Sequence, residues 1–143
     1  MTTDALRIGF AGCGRAAAEL HLPALRGRAG FTVVALADPD GERAREVAER
    51  FGVPRTYADT EALAADDAVE LVAVCSPPRT HAAAALAALE AGKDVFVEKP
   101  LALDLAEADA LIAAAEGRFA AVGFNLRLHR QVMAAREALA AGR

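Results

Sequence analysis

The sequence predicts an α/β fold of the doubly wound kind, a parallel sheet layered between helices. Three observations predict it. Short apolar runs alternate with helical patterns along the chain. The first run (Leu6, Ile8, Phe10) leads into Gly12-Cys13-Gly14-Arg15-Ala16-Ala17. The second (Phe31, Val33, Val34, Leu36) ends in an acid, Asp38. Such alternation needs crossover helices, so the strands run parallel and the helices cover both faces. The expected result is a three-layer, Rossmann-type arrangement. Strand, glycine turn, helix, strand and acid, in that order, are its dinucleotide-binding signature.

Strand one is expected at residues 6–11. Gly12 allows a tight turn off it, Gly14 leaves room for a pyrophosphate, and Ala17 takes the third small position, where helix and strand pack closely. The helix expected at 15–26 points its free N–H groups and positive dipole end at the phosphates. Strand two, at 31–37, delivers Asp38, whose carboxylate accepts from a ribose diol. The alternative is an ordinary turn and helix cap over Asp38-Pro39-Asp40-Gly41. Asp40 caps a helix at 40–51, which Gly52 ends before Pro54. A weak strand at 55–57 and a short helix at 60–65 follow. Strand 70–76 runs into Pro77-Pro78, which block helix until Arg79. The helix at 79–91 is so rich in alanine that close packing on the sheet is expected, and Gly92 closes it. Strand 94–98, helix 104–116, strand 119–124 and helix 128–141 complete the order. Asp104 with Glu107 resembles a capping box. The near-continuous Val, Ala, Leu and Phe of the strands reads as burial on both faces.

The 143 residues suffice for one domain with its own core, and 55% hydrophobic with 25% charged residues argues against disorder. A net charge of −4 does not suggest nucleic acid. Arg127, Arg130, Arg136 and Arg143 make the C-terminus locally basic, which reads as a solvated helix face. No basic segment followed by an apolar core stands at residues 1–4, so no signal peptide is expected. The alanine-rich run at 82–89 is too short for a membrane span. Cys13 and Cys75 lack metal spacing, and His21, His81 and His129 are scattered with no i, i+4 pair. A reduced, cytoplasmic protein without a metal is the expectation.

Ligands of open α/β sheets bind beyond the C-terminal strand ends. Glu98-Lys99-Pro100 is the sharpest group there. It follows Val95-Phe96-Val97, and Pro100 biases Lys99 toward extended backbone. A lysine beside a nicotinamide ring can give or take a proton, and the alternative is a surface ion pair of little worth. Ser76-Pro77-Pro78 would shape the floor under the nicotinamide ribose, or simply stop a strand. His81 could reach that ribose, or be solvated. His21 reads as structural or as part of the outer rim. Asn125 and Arg127 are candidate contacts to the nicotinamide side or to a substrate, or else a turn residue and a surface charge. Cys13 stands at a helix N-terminus, which could lower its pKa, but reads as a small residue in a tight turn.

These residues carry a family resemblance. The chain resembles the N-terminal domain of the Gfo/Idh/MocA oxidoreductases, the glucose–fructose oxidoreductase and inositol dehydrogenase group. The matching segments are residues 8–17 with His21-Leu22-Pro23-Ala24-Leu25, residues 73–81, the EAGKDVFVEKPLA segment beginning at Glu90, and VGFNLR beginning at Val122. The resemblance implies a nicotinamide cofactor and sugar, polyol or related hydroxyl–carbonyl substrates; Asp38 at the end of strand two is expected to favour NAD over NADP, since a 2′-phosphate would meet its carboxylate. It implies that Gly12, Gly14, Arg15 and Ala16 line the pyrophosphate and Asp38 the adenosine ribose. Ser76, Pro77, His81, Glu98 and Lys99 would surround the nicotinamide ribose, with Lys99 also catalytic. Proteins resembling this chain continue into a second domain that supplies the rest of the substrate site and most of the oligomer interface. Residues 1–143 are accordingly expected to form the dinucleotide-binding domain alone, to bind cofactor without turning over substrate unaided, and to self-associate. A non-catalytic dinucleotide-binding module or sensor subunit is the competing reading.

Overall fold

The computed structural model describes residues 5–142. The expectations resting on residues 1–4 and on Arg143 lie outside the described residues. Six strands form one parallel sheet in the order β3-β2-β1-β4-β5-β6. They are β1 (Leu6–Ala11), β2 (Phe31–Ala37), β3 (Thr56–Tyr57), β4 (Leu71–Val74), β5 (Asp94–Val97) and β6 (Ala120–Val122). The chain winds outward from β1 to β3, returns to the middle, and winds the other way from β4 to β6. The reversal between β1 and β4 is the topological switch point of a Rossmann-like fold.

Strand side chains alternate between two cores. Val72 and Val74 of β4 and Val95 and Val97 of β5 face α3 (Thr60–Ala64), α4 (His81–Glu90) and α5 (Leu105–Ala114). Ile8 and Phe10 of β1, with Leu36 and Ala73, face the other way. That second core is closed by Ala17 and Leu22, from a π-helical turn (Ala16–His21) and α1 (Leu22–Leu25), and by Ala44 and Val47 of α2 (Gly41–Phe51). Ala84, Ala85 and Ala88 of α4 are all buried, which is the close approach its alanines predict. Larger side chains there would push the helix off the sheet at a cost of about 1–3 kcal/mol.

Capping follows the sequence. Asp40 accepts from the Arg43 N–H at 3.1 Å, and Gly52 closes α2 with φ 70°. Asp104 accepts from the Glu107 N–H at 2.9 Å, while the Glu107 carboxylate reaches back one residue further than a capping box, to the Leu103 N–H. Two expected helices differ. Residues 15–26 split into the π-helical turn and α1, because Pro23 has no N–H with which to continue an i→i−4 ladder. Residues 128–141 yield a 3₁₀ turn (Asn125–Leu128) and then α6 (Arg130–Ala140), because His129 is extended. No residue of α6 is buried: Leu128 beside it is 79% exposed and Leu139 74%. No helix among the described residues is long and apolar enough to cross a membrane.

Candidate active site

Register determines what stands at the sheet edge. Ala37 pairs with Ala11, Ala11 with Val74, Val74 with Val97, and Val97 with Val122, so one row crosses five strands. The next residue of each strand continues the ladder: Gly12 N–H donates to Ala37 O, Cys75 to Ala11 O, Glu98 to Val74 O and Gly123 to Val97 O, at 2.7–2.9 Å. Gly12, Asp38, Cys75, Glu98 and Gly123 are thereby held level along one edge.

Gly12 has φ 98°, and a Cβ there would lie 2.6 Å from the Ser76 backbone nitrogen. The glycine turn therefore packs backbone to backbone against the exit of β4, a contact that only glycine permits. Gly14 has no such neighbour: a Cβ built on it meets nothing within 4 Å. The turn thus has one closed side and one open side. Arg15 faces outward, its Nε 2.9 Å from Glu19 on the helix surface, so what it presents to the turn is backbone. Ala16 is half-buried beside it.

Asp38 is only 5% exposed. Its Oδ2 accepts from the Cys13 N–H at 2.8 Å and its Oδ1 from the Asp40 N–H at 2.9 Å. The carboxylate thus ties the end of β2 to the glycine turn while keeping spare lone pairs. Arg43 stands over it, 3.6 Å from Asp38 Oδ1 and 2.9 Å from Asp40 Oδ2.

Burial, reinforced by the charge of Asp38, pushes the Cys13 thiol up to about 12, the reverse of a helix N-terminal activation. Burial and then Glu98 push Cys75 up to about 12 as well. Both folded values exceed the usual value of 9.0. Between about pH 9 and 12 the folded chain therefore holds protons that the unfolded chain has lost. This contribution to stability is intact below pH 9 and falls through that window, by up to about 1.4 kcal/mol per pH unit per thiol. Urea denaturation at pH 8 and pH 10.5 is expected to show the loss, reduced in a Cys13→Ala, Cys75→Ala double variant.

Glu98 and Lys99 do not form the surface ion pair offered as an alternative. Glu98 Oε1 lies 2.7 Å from His21 Nε2, and its Oε2 accepts from the Lys99 backbone N–H at 3.1 Å. The Lys99 side chain is exposed, with no acid within 4.0 Å of its ammonium among the described residues. His21 stacks edge-on against Phe96, at 5.5 Å between ring centroids. Gly123 leaves this corner open, since a Cβ there would sit 3.1 Å from Phe96 and 3.4 Å from Glu98.

His81 does not offer a free ring nitrogen to the site. It is 1% exposed, with Nδ1 2.6 Å from Pro100 O and Nε2 2.7 Å from Ser76 O. Carbonyls only accept, so donation to both at once takes a ring protonated on both nitrogens, while a neutral ring donates to one carbonyl and stands against the other. Thr80 Oγ1 lies 2.8 Å from both Ser76 Oγ and Pro77 O, which holds the Ser76-Pro77 turn beside that link. Asn125 and Arg127 lie exposed on the 3₁₀ turn beyond β6, and no side-chain bond joins them to the other candidates among the described residues. Sequence reasoning left His21 as structural or outer rim and did not single out Gly123. The signal for His21 was Pro23 two residues on, which disrupts the helical ladder and redirects the turn before it.

The family model for Gfo/Idh/MocA, described as an oxidoreductase family with an NAD-binding Rossmann fold, matches residues 6–125. The chain is 37% identical over 141 residues to myo-inositol 2-dehydrogenase of Thermotoga maritima, covering 96% of this chain and 41% of that protein. It is 38% identical over 130 residues to "uncharacterized oxidoreductase ORF334" of Rhizobium meliloti, covering 90% and 39%. Among solved structures it superposes on KijD10, a 3-ketoreductase from Actinomadura kijaniata in complex with NADP. The TM-score there is 0.89 at 34% identity, covering 97% of this chain and 45% of that one. The chain spans about two fifths of the length of these curated relatives.

Proposed function

The chain belongs to the Gfo/Idh/MocA oxidoreductase family with its NAD-binding Rossmann fold, and from that premise we propose that it is the cofactor-binding half of a hydride-transfer site. The observation that carries the reading is the level row of strand ends, which sets an open glycine turn, a buried acid and a lysine without an ion-pair partner among the described residues on one edge. The residues fit a dinucleotide. The open side of Gly14 admits a pyrophosphate, with Gly12, Arg15 and Ala16 contributing backbone. Asp38 keeps acceptor capacity for the adenosine ribose. Ser76, Pro77, Glu98 and Lys99 border the nicotinamide end, with Asn125 and Arg127 at its rim and His81 supporting it from beneath. A bound nicotinamide supplies the hydride acceptor or donor. Lys99 gives or takes the hydroxyl proton of the substrate, because it stands at the strand mouth and no carboxylate among the described residues pairs with its side-chain nitrogen. The substrate class is a sugar, polyol or related hydroxyl–carbonyl compound, the chemistry carried in the names of myo-inositol 2-dehydrogenase and the 3-ketoreductase. The compartment is a reducing cytoplasm, in keeping with two free, buried cysteines.

Asp38 favours NAD over NADP, since a 2′-phosphate would meet its carboxylate. Arg43 works the other way, but Asp38 and Asp40 both engage it. Calorimetric titration is expected to show tighter NAD binding, weakened by about 1–3 kcal/mol in Asp38→Ala. Tighter NADP binding to the unmutated chain would refute the assignment. The apolar side chains exposed on the last turn and α6 also support a homo-oligomer. Light scattering of the 143-residue chain is expected to show a dimer, and a monomer at high concentration would count against it.

A further inference from the structure

Lys99 lies between two residues that are each anchored by a histidine. On one side Glu98 bonds to His21, and on the other the Pro100 carbonyl bonds to His81. The two rings come from different places in the fold. His21 ends the π-helical turn that follows the glycine loop, and His81 opens α4 beyond β4. We propose that His21 and His81 are positioning residues that brace the Lys99 backbone from both sides, coupling the glycine turn and the β4 exit to the lysine. The proposal rests on the reading of Lys99 as the proton-transfer group.

The geometry gives each link a job. Glu98 uses one oxygen for His21 and the other for the Lys99 N–H, so the carboxylate transmits the position of the ring to the lysine backbone. It is also kept off the lysine ammonium, which leaves that cation for substrate. The position of His21 depends on the wide turn, which closes with the Leu22 N–H on Ala17 O, an i→i−5 bond. A regular α-helix would carry one residue fewer in that turn and rotate everything after it by about 100°. Phe96 of β5 then fixes the ring plane from the strand that carries Glu98. Opposite it, the buried His81 ring stands between Pro100 O and Ser76 O, within hydrogen-bond distance of each and donating to both when protonated on both nitrogens, and the Ser76 backbone abuts Gly12. A closed circuit therefore runs from Gly12 through Ser76, His81, Pro100, Lys99 and Glu98 to His21, on the helix that starts at the glycine turn.

The test uses the 143-residue chain, which has only two lysines, Lys93 and Lys99. Lys93 is an internal control, because its ammonium donates to the Asp66 carbonyl at 3.0 Å, away from this circuit. In the ligand-free chain, His21→Ala is expected to speed hydrogen exchange of the Lys99 amide at least about tenfold, with Lys93 and the melting temperature little changed. His21→Gln, whose amide can donate to Glu98, is expected to restore protection. With lysine Cε labelled in carbon-13, NAD⁺ is expected to shift the Lys99 resonance of the unmutated chain. That response should fall by at least half in His21→Ala at similar NAD⁺ affinity. For His81, a ring N–H protected from exchange with water is expected, unlike that of exposed His129. Unchanged Lys99 exchange in a folded His21→Ala variant, or a His81 ring N–H as labile as that of His129, would overturn the brace. Failure of the unmutated chain to bind NAD⁺ would instead overturn the functional reading, while the ligand-free exchange still decides the brace.

Discussion

Gly14→Val is expected to abolish dinucleotide binding in a chain that still folds, while Gly12→Ala is expected to cost the fold itself. The two glycines stand two residues apart in one turn, yet their surroundings are opposite. Around Gly14 a Cβ meets nothing, and its φ is not in the left-handed region, so valine adds only the small cost of a β-branched residue at a helix start, under about 1 kcal/mol. The added methyls fill the space a pyrophosphate needs, so affinity should drop by at least about 100-fold, or about 2.7 kcal/mol. At Gly12 the left-handed backbone strains any side chain by about 1–2 kcal/mol, and a Cβ 2.6 Å from the Ser76 nitrogen forces the β1 and β4 exits apart. A combined loss of about 3–5 kcal/mol is a large part of the stability of a domain this size. Circular dichroism with cofactor-induced thermal shift separates the cases. Retained cofactor stabilisation in Gly14→Val would mean that the phosphates do not sit on this turn.

In an enzyme that carries this domain, Lys99→Ala is expected to lower kcat by about 10²–10⁴-fold while NAD affinity changes little. Among the described residues the ammonium has no ion-pair partner, so its removal orphans none of their carboxylates: Glu98 keeps His21 and the Lys99 backbone N–H. Lys99→Arg should not rescue, because a guanidinium holds its proton at any working pH. Single-turnover measurement of hydride transfer, with a separate cofactor titration, checks both halves. Full activity in Lys99→Ala would remove the lysine from the chemistry. A loss confined to NAD affinity would make it a binding residue only.

Much of this was legible in the chain, for local reasons. The bounds of β1 and β2 follow from apolar runs broken by glycine and by Asp38. The Asp40 and Asp104 caps are read from a side chain that can bond only a few residues ahead. Other features depended on distant partners. Helix 15–26 looked regular because its alanines suit any helix, whereas the π-helical turn is set by Pro23 and by packing on Phe10 and Phe96. The arginines of the last helix read as a solvated face, and no residue of α6 is buried, its apolar residues included, because periodicity records what could be covered and not whether anything covers it.

By itself, the sequence determined the order of strands and helices, the glycine turn, and which chemical groups end each strand. Those are properties of neighbouring residues: φ freedom, capping reach and the period of apolar side chains. Only the tertiary structure decided how those groups are used. It turned Glu98 toward His21 and away from the side chain of Lys99, its neighbour in sequence, across 77 residues of chain. It placed His81 inward as a link between loops, and it raised two thiols that local context alone would have left ordinary. The physical reason is one of range. Turn chemistry acts over three or four residues, whereas hydrogen-bond partners and burial are set by strand register, which brings together residues that the sequence holds far apart.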